Sequence, residues 1–518
     1  MAVLELLLGL AAVAVLLYYY ATATFSHWSR RGVPHLRPDP LFGNIKDIVT
    51  FRVLHVYGYQ KLYHHFDGLP YAGLYQMRTP SLMLRDPETI KQFLVKDFAH
   101  FHDRGIFCDV ERDPMSATLV NLSGRKWRAL RAKLTPSFSA VKLKGMVPLL
   151  NECADALVAL VGDGQDAGGG RHDVEMREIM AKFTTDVIGT CAFGLHFNTL
   201  TEPDSQFREM GRRVFLPTYS RTATHLTRVF FPRLLSVLRL RTVSKEITDF
   251  FISLVRDVIR FREQSGETRN DFMQLLMQLQ QQDRERQAAG DAQAKEDALD
   301  LDDRLLTAQV FIFFVAGFET SSSTMSFCVY ELAINEDVQE AARQEVDAIL
   351  AELDGQPITY EHVAKMTYLE KVLLETMRKY PPVPGLVRVC TKPYTIPGTK
   401  VHMAVGDQVF IPTFAIQRDP SIFPDPDRFD PERFSEDGKK TWHPFAYLPF
   451  GEGPRICIGL RFAMVEMKLG LARLLQHYKF TPAPSLPVPM RFDPKAFVLT
   501  AEGGINVRVQ RRHAAAAT

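Results

Sequence analysis

Residues 450–459 read Phe-Gly-Glu-Gly-Pro-Arg-Ile-Cys-Ile-Gly, and they restrict what the rest of the chain can be. Cys457 stands among Gly451, Gly453 and Gly459, two residues after Arg455. An apolar helical pattern follows at once, with Phe462, Val465, Leu469 and Ala472 at spacings of three, four and three. The sulfur is therefore predicted in a Gly-rich turn at a helix start. Free backbone N–H groups and the positive end of the helix dipole both favour a thiolate there. The glycines let backbone approach a flat ligand closely, and Arg455 can pair with a carboxylate on that ligand. A structural cysteine is the competing reading, because free Cys is among the most buried residue types. Polar, cationic surroundings suit reactivity better.

The other five cysteines (108, 153, 191, 328 and 390) are scattered, with no CxxC pair. That argues against a disulfide framework or a zinc site and fits a reducing compartment. Apolar content of 46% and charged content of 24% describe an ordinary globular core, and a net charge of +2 gives no reason to expect nucleic acid.

From Leu6 to Phe25 there is no charge. A helix of that length spans roughly 30 Å, a bilayer core. Tyr18, Tyr19, Tyr20 and Trp28 are candidates for an interfacial belt, and Arg30 and Arg31 put the bulk of the chain in the cytosol. A cleaved signal peptide is the rival, with Ala21-Thr22-Ala23 as its site. The run is longer than a usual h-region, and Glu5 stands where Lys or Arg is expected. The division expected is a membrane anchor at 1–28 and a Pro-rich hinge at 29–44 (Pro34, Pro38, Pro40). A single domain at 45–512 and a disordered tail at 513–518 follow.

Along the body, 59–66 reads as a helix, 71–84 as a hairpin, 87–97 as a helix and 101–123 as a long loop. A basic helix starts at Ser123, where Trp127 and Arg131 share a face and Arg125, Lys126, Arg128 and Lys133 are expected to be exposed. Helices at 143–160 and 176–193 are split by a Gly-rich loop. Residues 207–240 read as an irregular lid touching membrane at Val229–Pro232, or as a helix pair on the core. The polar run 280–304 reads as an exposed loop. Leu305 to Ile334 is the longest strongly apolar helix of the body and contains Ala316-Gly317-Phe318-Glu319-Thr320. A buried Glu is costly unless paired, Gly317 thins the helix, and the Thr320 hydroxyl can bond an upstream carbonyl. An acid beside an alcohol is apt for delivering protons. Glu375 and Arg378 lie one turn apart among apolar residues, Arg388 falls in a strand, and Val498 and Leu499 precede a hairpin turn at Gly503-Gly504.

The Cys457 stretch resembles the haem-binding signature of the cytochrome P450 family, Phe-x-x-Gly-x-Arg-x-Cys-x-Gly. Phe450, Gly453, Arg455, Cys457 and Gly459 occupy all five fixed positions. Trp127-x-x-x-Arg131, Ala316 to Thr320, Glu375-x-x-Arg378 and Pro431-Glu-Arg433-Phe434 resemble further elements of the family, in order. The resemblance implies a mainly α, triangular fold with a small β region, preceded by a transmembrane helix. It implies haem b, with its iron on Cys457 and its carboxylates near Trp127, Arg131, Arg388 and Arg455, and with Arg104 in reach. Ala316 and Gly317 would border O2, Thr320 would be the proton-delivering alcohol and Glu319 the acid feeding it. Glu375, Arg378 and Arg433 would brace the Cys457 loop, while Phe107, Val110, Pro384 and Leu386 would line the substrate pocket.

The chain resembles microsomal monooxygenases of the clan that holds insect detoxification enzymes and the broad vertebrate drug-oxidising ones, the insect detoxification type in particular. The implied reaction is insertion of one oxygen atom of O2 into an apolar small molecule, a xenobiotic or an endogenous lipid or hormone. The electrons would come from NADPH through cytochrome P450 reductase, with cytochrome b5 as a second candidate donor. The implied location is the endoplasmic reticulum membrane, facing the cytosol. A haem-thiolate isomerase or dehydratase acting on a peroxide without a reductase is the alternative, and a haem-binding sensor is a third class. The Glu319–Thr320 pair argues against both.

Overall fold

The computed structural model describes residues 1–163, 171–195, 199–200, 205–215, 224, 227–228, 234, 237–238, 240–269, 271–289, 301–353, 355–494, 496 and 498–512. The expected tail, the Gly-rich loop at 164–170 and the segment 229–232 lie outside these residues.

Helix α1 (Ala2–Thr22) has a mean hydropathy of 2.2 and none of it is buried. Two other described helices are long and apolar enough to cross a membrane, but 39% and 67% of their apolar windows lie inside the protein. Those two are core helices, and α1 is the candidate anchor.

After α2 (His55–His65) come the strands β1 (Tyr71–Gln76) and β2 (Thr79–Leu84), then α3 (Pro87–Lys91), which continues as a π-turn over Gln92–Lys96. Trp28 is fully buried against this sheet. Its indole N–H donates to Leu74 O at 3.0 Å, and a side chain at Gly73 would collide with its ring. The belt expected at Trp28 is therefore corrected, because its ring fills the hollow above Gly73. The Pro-rich segment is not a free link either. His35 bridges Gly73, Gly43 bridges Gln76, and Arg31 pairs with Asp407 at 2.6 Å. The segment covers the outer edge of β1, an unpaired strand edge that a sheet must protect.

Helix α4 (Gly124–Leu134) follows the long loop, then α5 (Ala140–Gly162), β3 (His172–Glu175) and α6 (Met176–Ile188). The described start of the expected irregular lid is regular, as α7 (Gln206–Phe215). It buries Phe207 and Met210. Helices α8 (Lys245–Ser265) and α9 (Phe272–Ala288) come next. The reading of 280–304 as an exposed loop is corrected at both ends, since α9 runs to Ala288 and α10 (Asp303–Ile334) begins at Asp303. Gln280 and Asp283 are polar but buried. Gln280 donates to Leu301 O at 2.9 Å, and Asp283 accepts from Lys133 at 2.6 Å. Lys133 is thus a tether between α4 and α9, not part of an open basic face.

Helix α11 (Thr367–Lys379) leads to β4 (Leu386–Val389) and β5 (Gln408–Ile411), which complete a four-stranded sheet in the order β1-β2-β5-β4. Helix α12 (Leu460–His477) runs into β6 (Tyr478–Pro482), and β7 (Asn506–Arg511) lies between β3 and β6. The positive-φ pair Gly503-Gly504 leads into β7 from the Phe492–Ala501 bridge, and not across a simple hairpin. The larger core surrounds α10. Thr184 of α6 donates to the Phe318 carbonyl at 2.9 Å, and Phe314 packs on Phe207, Phe251 and Phe318. Mostly helical, with three small sheets among the described residues, the fold matches the class expected from the sequence.

Candidate active site

The Cys457 loop is closed by its own backbone, with Cys457 N donating to Phe450 O at 2.9 Å. Gly451 and Gly453 have φ of 70° and 74°, a region that costs other residues strain. A Cβ at Gly453 would lie 2.1 Å from Leu94 O, in the π-turn after α3. Its close approach is therefore to the protein's own backbone, where the sequence suggested a ligand. Gly459 caps α12 and Leu460 is its first residue. The Cys457 side chain is exposed on the open side of its loop, yet the protein packed around it keeps enough water away to push the thiol up. The Gly459 N–H, the charges of Arg131 and Arg104, and the Leu460 N–H pull it back. The groups expected to favour a thiolate are all present, and desolvation opposes them. A bond to a metal ion removes such a proton outright.

Four arginines surround this loop. Arg455 donates to His102 O at 2.8 Å and to Leu122 O at 2.9 Å, and it contacts Asp103 at 3.3 Å. Arg104 donates to Val120 O at 3.1 Å and to Arg455 O at 3.3 Å. Both were expected to serve a ligand, yet much of their donor capacity goes to backbone carbonyls. Arg388 is 2% exposed, its Nε has no partner, and Nη1 reaches only Val387 O. The Arg131 guanidinium and the Trp127 indole N–H have no acceptor among the described residues.

Burial pushes Arg388 down to about 9, with Arg104's charge adding to it. It pushes Arg455 to about 9, with Arg104 again adding and Asp103 opposing. Arg104 is pushed to about 10 by burial, with Cys457 opposing. Arginine stays protonated in proteins, so these directions measure the cost of a buried surplus of cations. Among the described residues only Asp103 gives any of the four a carboxylate. A flat dianion with two carboxylates, beside a free sulfur, fits this donor set.

On α10, Thr320 Oγ1 donates to Ala316 O at 2.6 Å, the local loosening expected from the sequence. Gly317 points elsewhere, since a Cβ there would lie 2.4 Å from Ile188 Cδ1. It thins the helix for α6, which corrects the expectation that a ligand needs the space. Glu319 is 6% exposed and pairs with Arg177 of α6 at 3.2 Å. No hydrogen bond joins it to Thr320. Sequence reasoning missed Arg177, and it missed Glu466. The Glu466 carboxyl on α12 is fully buried with both oxygens unbonded. Burial pushes it up to about 8, and Ser321 opposes this from α10, without ordinary hydrogen-bond geometry.

The family model for cytochrome P450 matches residues 33–507. The chain belongs to the cytochrome P450 family. Among curated proteins it is 41% identical over 520 residues to the probable cytochrome P450 6a14 of Drosophila melanogaster, covering 98% of this chain and 99% of the relative. It is 42% identical over 507 residues to cytochrome P450 6a2 of the same species, covering 97% and 98%. It is 38% identical over 512 residues to cytochrome P450 6k1 of Blattella germanica, covering 97% and 96%. Membership makes it a haem-dependent oxidoreductase, a monooxygenase that uses O2, a small-molecule substrate and a redox partner.

In this cytochrome P450 the expected bracing cluster is assembled. Glu375 and Arg378 are both fully buried and joined at 2.7 and 2.8 Å. Arg378 also donates to Gln417 O and Pro426 O, and Glu375 accepts from Asp430 N at 3.0 Å. Arg433 Nε lies 3.4 Å from Glu375 without hydrogen-bond geometry, and its Nη2 donates to Asp425 O. Of the expected pocket residues, Phe107 gives its carbonyl to Arg228 at 3.1 Å, and Leu386 opens β4 beside Arg388.

Proposed function

We propose that this chain inserts one oxygen atom of O2 into an apolar small molecule, using electrons from NADPH passed through a cytochrome P450 reductase. The observation that carries the reading is the Cys457 sulfur at the start of α12, faced by four guanidiniums of which, among the described residues, Arg455 alone has a carboxylate partner, Asp103. Cys457 Sγ would ligate the iron of haem b. Trp127, Arg131 and Arg388 would hold its carboxylates, with Arg104 beside them and Arg455 fixing the loop. Haem so bound supplies O2 activation and oxygen transfer.

The remaining work belongs to side chains. Thr320 Oγ1 holds a proton on the α10 face that carries Ala316 and passes it toward the reacting oxygen, releasing its bond to Ala316 O. Glu319 restores that proton when it leaves Arg177, which lies 38% exposed and so joins the acid to solvent. Phe107 and Leu386 exclude water from the substrate. Helix α1 holds the protein in the endoplasmic reticulum membrane, with the domain on the cytosolic side. Arg125, Lys126 and Arg128 are exposed on α4 and form the face for an acidic electron donor, the reductase or cytochrome b5.

Purified protein with reductase, NADPH and 18O2, offered a panel of terpenes and fatty acids, tests this. One labelled oxygen per product and a strict requirement for NADPH are expected. Conversion of a lipid hydroperoxide without reductant, and none with NADPH, would establish the isomerase alternative instead.

A further inference from the structure

Gln309 lies on α10, seven residues before Ala316 and eleven before Thr320. At about 100° per residue, both spacings return to within about 20° of one face. The side chain is fully buried. Its amide oxygen accepts from Leu119 N at 2.8 Å, and its amide nitrogen donates to Ala117 O at 2.8 Å and to Leu305 O at 3.1 Å. One side chain thus satisfies a donor and an acceptor of the loop backbone, as a neighbouring strand would. Those two backbone groups have no other partner among the described residues.

The same stretch is gripped from its other side. Arg455 donates to Leu122 O at 2.9 Å, and Arg104 to Val120 O at 3.1 Å. Residues 117–122 therefore join the helix of Thr320 to the guanidiniums beside Cys457. Between this strip and Arg104 lie residues 105–116, which carry Phe107 and Val110. Lighter ties hold them, Asp109 N to Ser116 Oγ at 3.0 Å and Thr242 N to Asp113 at 2.8 Å.

We propose that Gln309 is a positioning residue that pins the loop 105–122 to α10 and so sets how a ligand sits between that loop and Thr320. The inference rests on the proposed function for what the loop encloses. The pin itself can be read without turnover. Gln309→Leu keeps the bulk and leaves Leu119 N–H and Ala117 C=O unpaired, a loss that converts to roughly five- to tenfold in a local equilibrium.

Hydrogen exchange of the haem-loaded, full-length protein should show amides 117–122 protected, and protection at Leu119 should fall about tenfold in the variant. Optical titration with imidazole and with 4-phenylimidazole should show the ratio of the two affinities changing about fivefold, with the carbon monoxide spectrum unchanged. Unaltered exchange at 117–122 together with an unaltered ratio would overturn the proposal. Should Gln309→Leu fail to hold haem, Gln309→Asn, one methylene short, is expected to give the same changes to a smaller degree, and native values there would overturn it equally. Loss of the thiolate spectrum from the native protein would remove the oxygenase reading and leave the exchange result standing.

Discussion

The Arg455 guanidinium lies 3.9 Å from the centre of the Trp127 indole ring, so the Cys457 loop and α4 meet through a stacked cation. The same guanidinium binds His102 O, Leu122 O and Asp103, and so ties down both ends of the loop 101–123. A lysine reproduces the charge and neither the fork nor the plane. Arg455→Lys is expected to lower the denaturation free energy of the holoprotein by roughly 2 kcal/mol or more and to reduce haem retained through purification. Denaturant titration followed at the Soret band checks this, and a native midpoint would contradict it.

Glu375 and Arg378 form a buried pair that tolerates no half-removal. Glu375→Gln leaves the Arg378 charge without its counter-ion, at a cost of roughly 3–5 kcal/mol. The Glu375→Leu, Arg378→Leu double variant should lose less than the single one. Thermal midpoints of the three proteins test the order, and a single variant more stable than the double would refute it.

The proposed proton role of Thr320 predicts that Thr320→Ala raises hydrogen peroxide released per NADPH consumed several-fold, with little change in substrate binding. Coupling equal to that of the native protein would count against the hydroxyl.

Glu466 makes stability depend on pH. Its folded value, near 8, lies above the unfolded value of about 4.3, so the folded state holds the extra proton. That contribution is complete below about pH 4.3 and is lost as pH rises through about 8, on the order of 5 kcal/mol in all. Glu466→Gln removes the titration. The variant's thermal midpoint should gain on the native one between about pH 6 and pH 8.5, and parallel profiles would contradict this.

Local signals made the site legible in outline. The glycines around Cys457, the helix start at Leu460 and the one-turn spacing of Glu375 and Arg378 are all written within a few residues. What could not be read depends on partners far along the chain. Asp103 becomes the counter-ion of Arg455, 352 residues on, and Arg177 reaches Glu319 from another helix. Trp28 looked like an interfacial residue because the hollow over Gly73 is formed by a different strand. Strand β3 exists only because β7 lies beside it, with His172 opposite Val509. Gln280 and Asp283 were polar enough to suggest solvent, and each instead bonds across an interface. Gly317 was read correctly as a thinning of α10, but its purpose belongs to Ile188.

The central claim is that Cys457 presents a sulfur to haem iron, and the carbon monoxide difference spectrum of the dithionite-reduced protein tests it most directly. The account predicts a strongly red-shifted, thiolate-type Soret band in the native protein, lost in Cys457→Ala. A histidine-like band, or none, from correctly folded haem-loaded protein would contradict it.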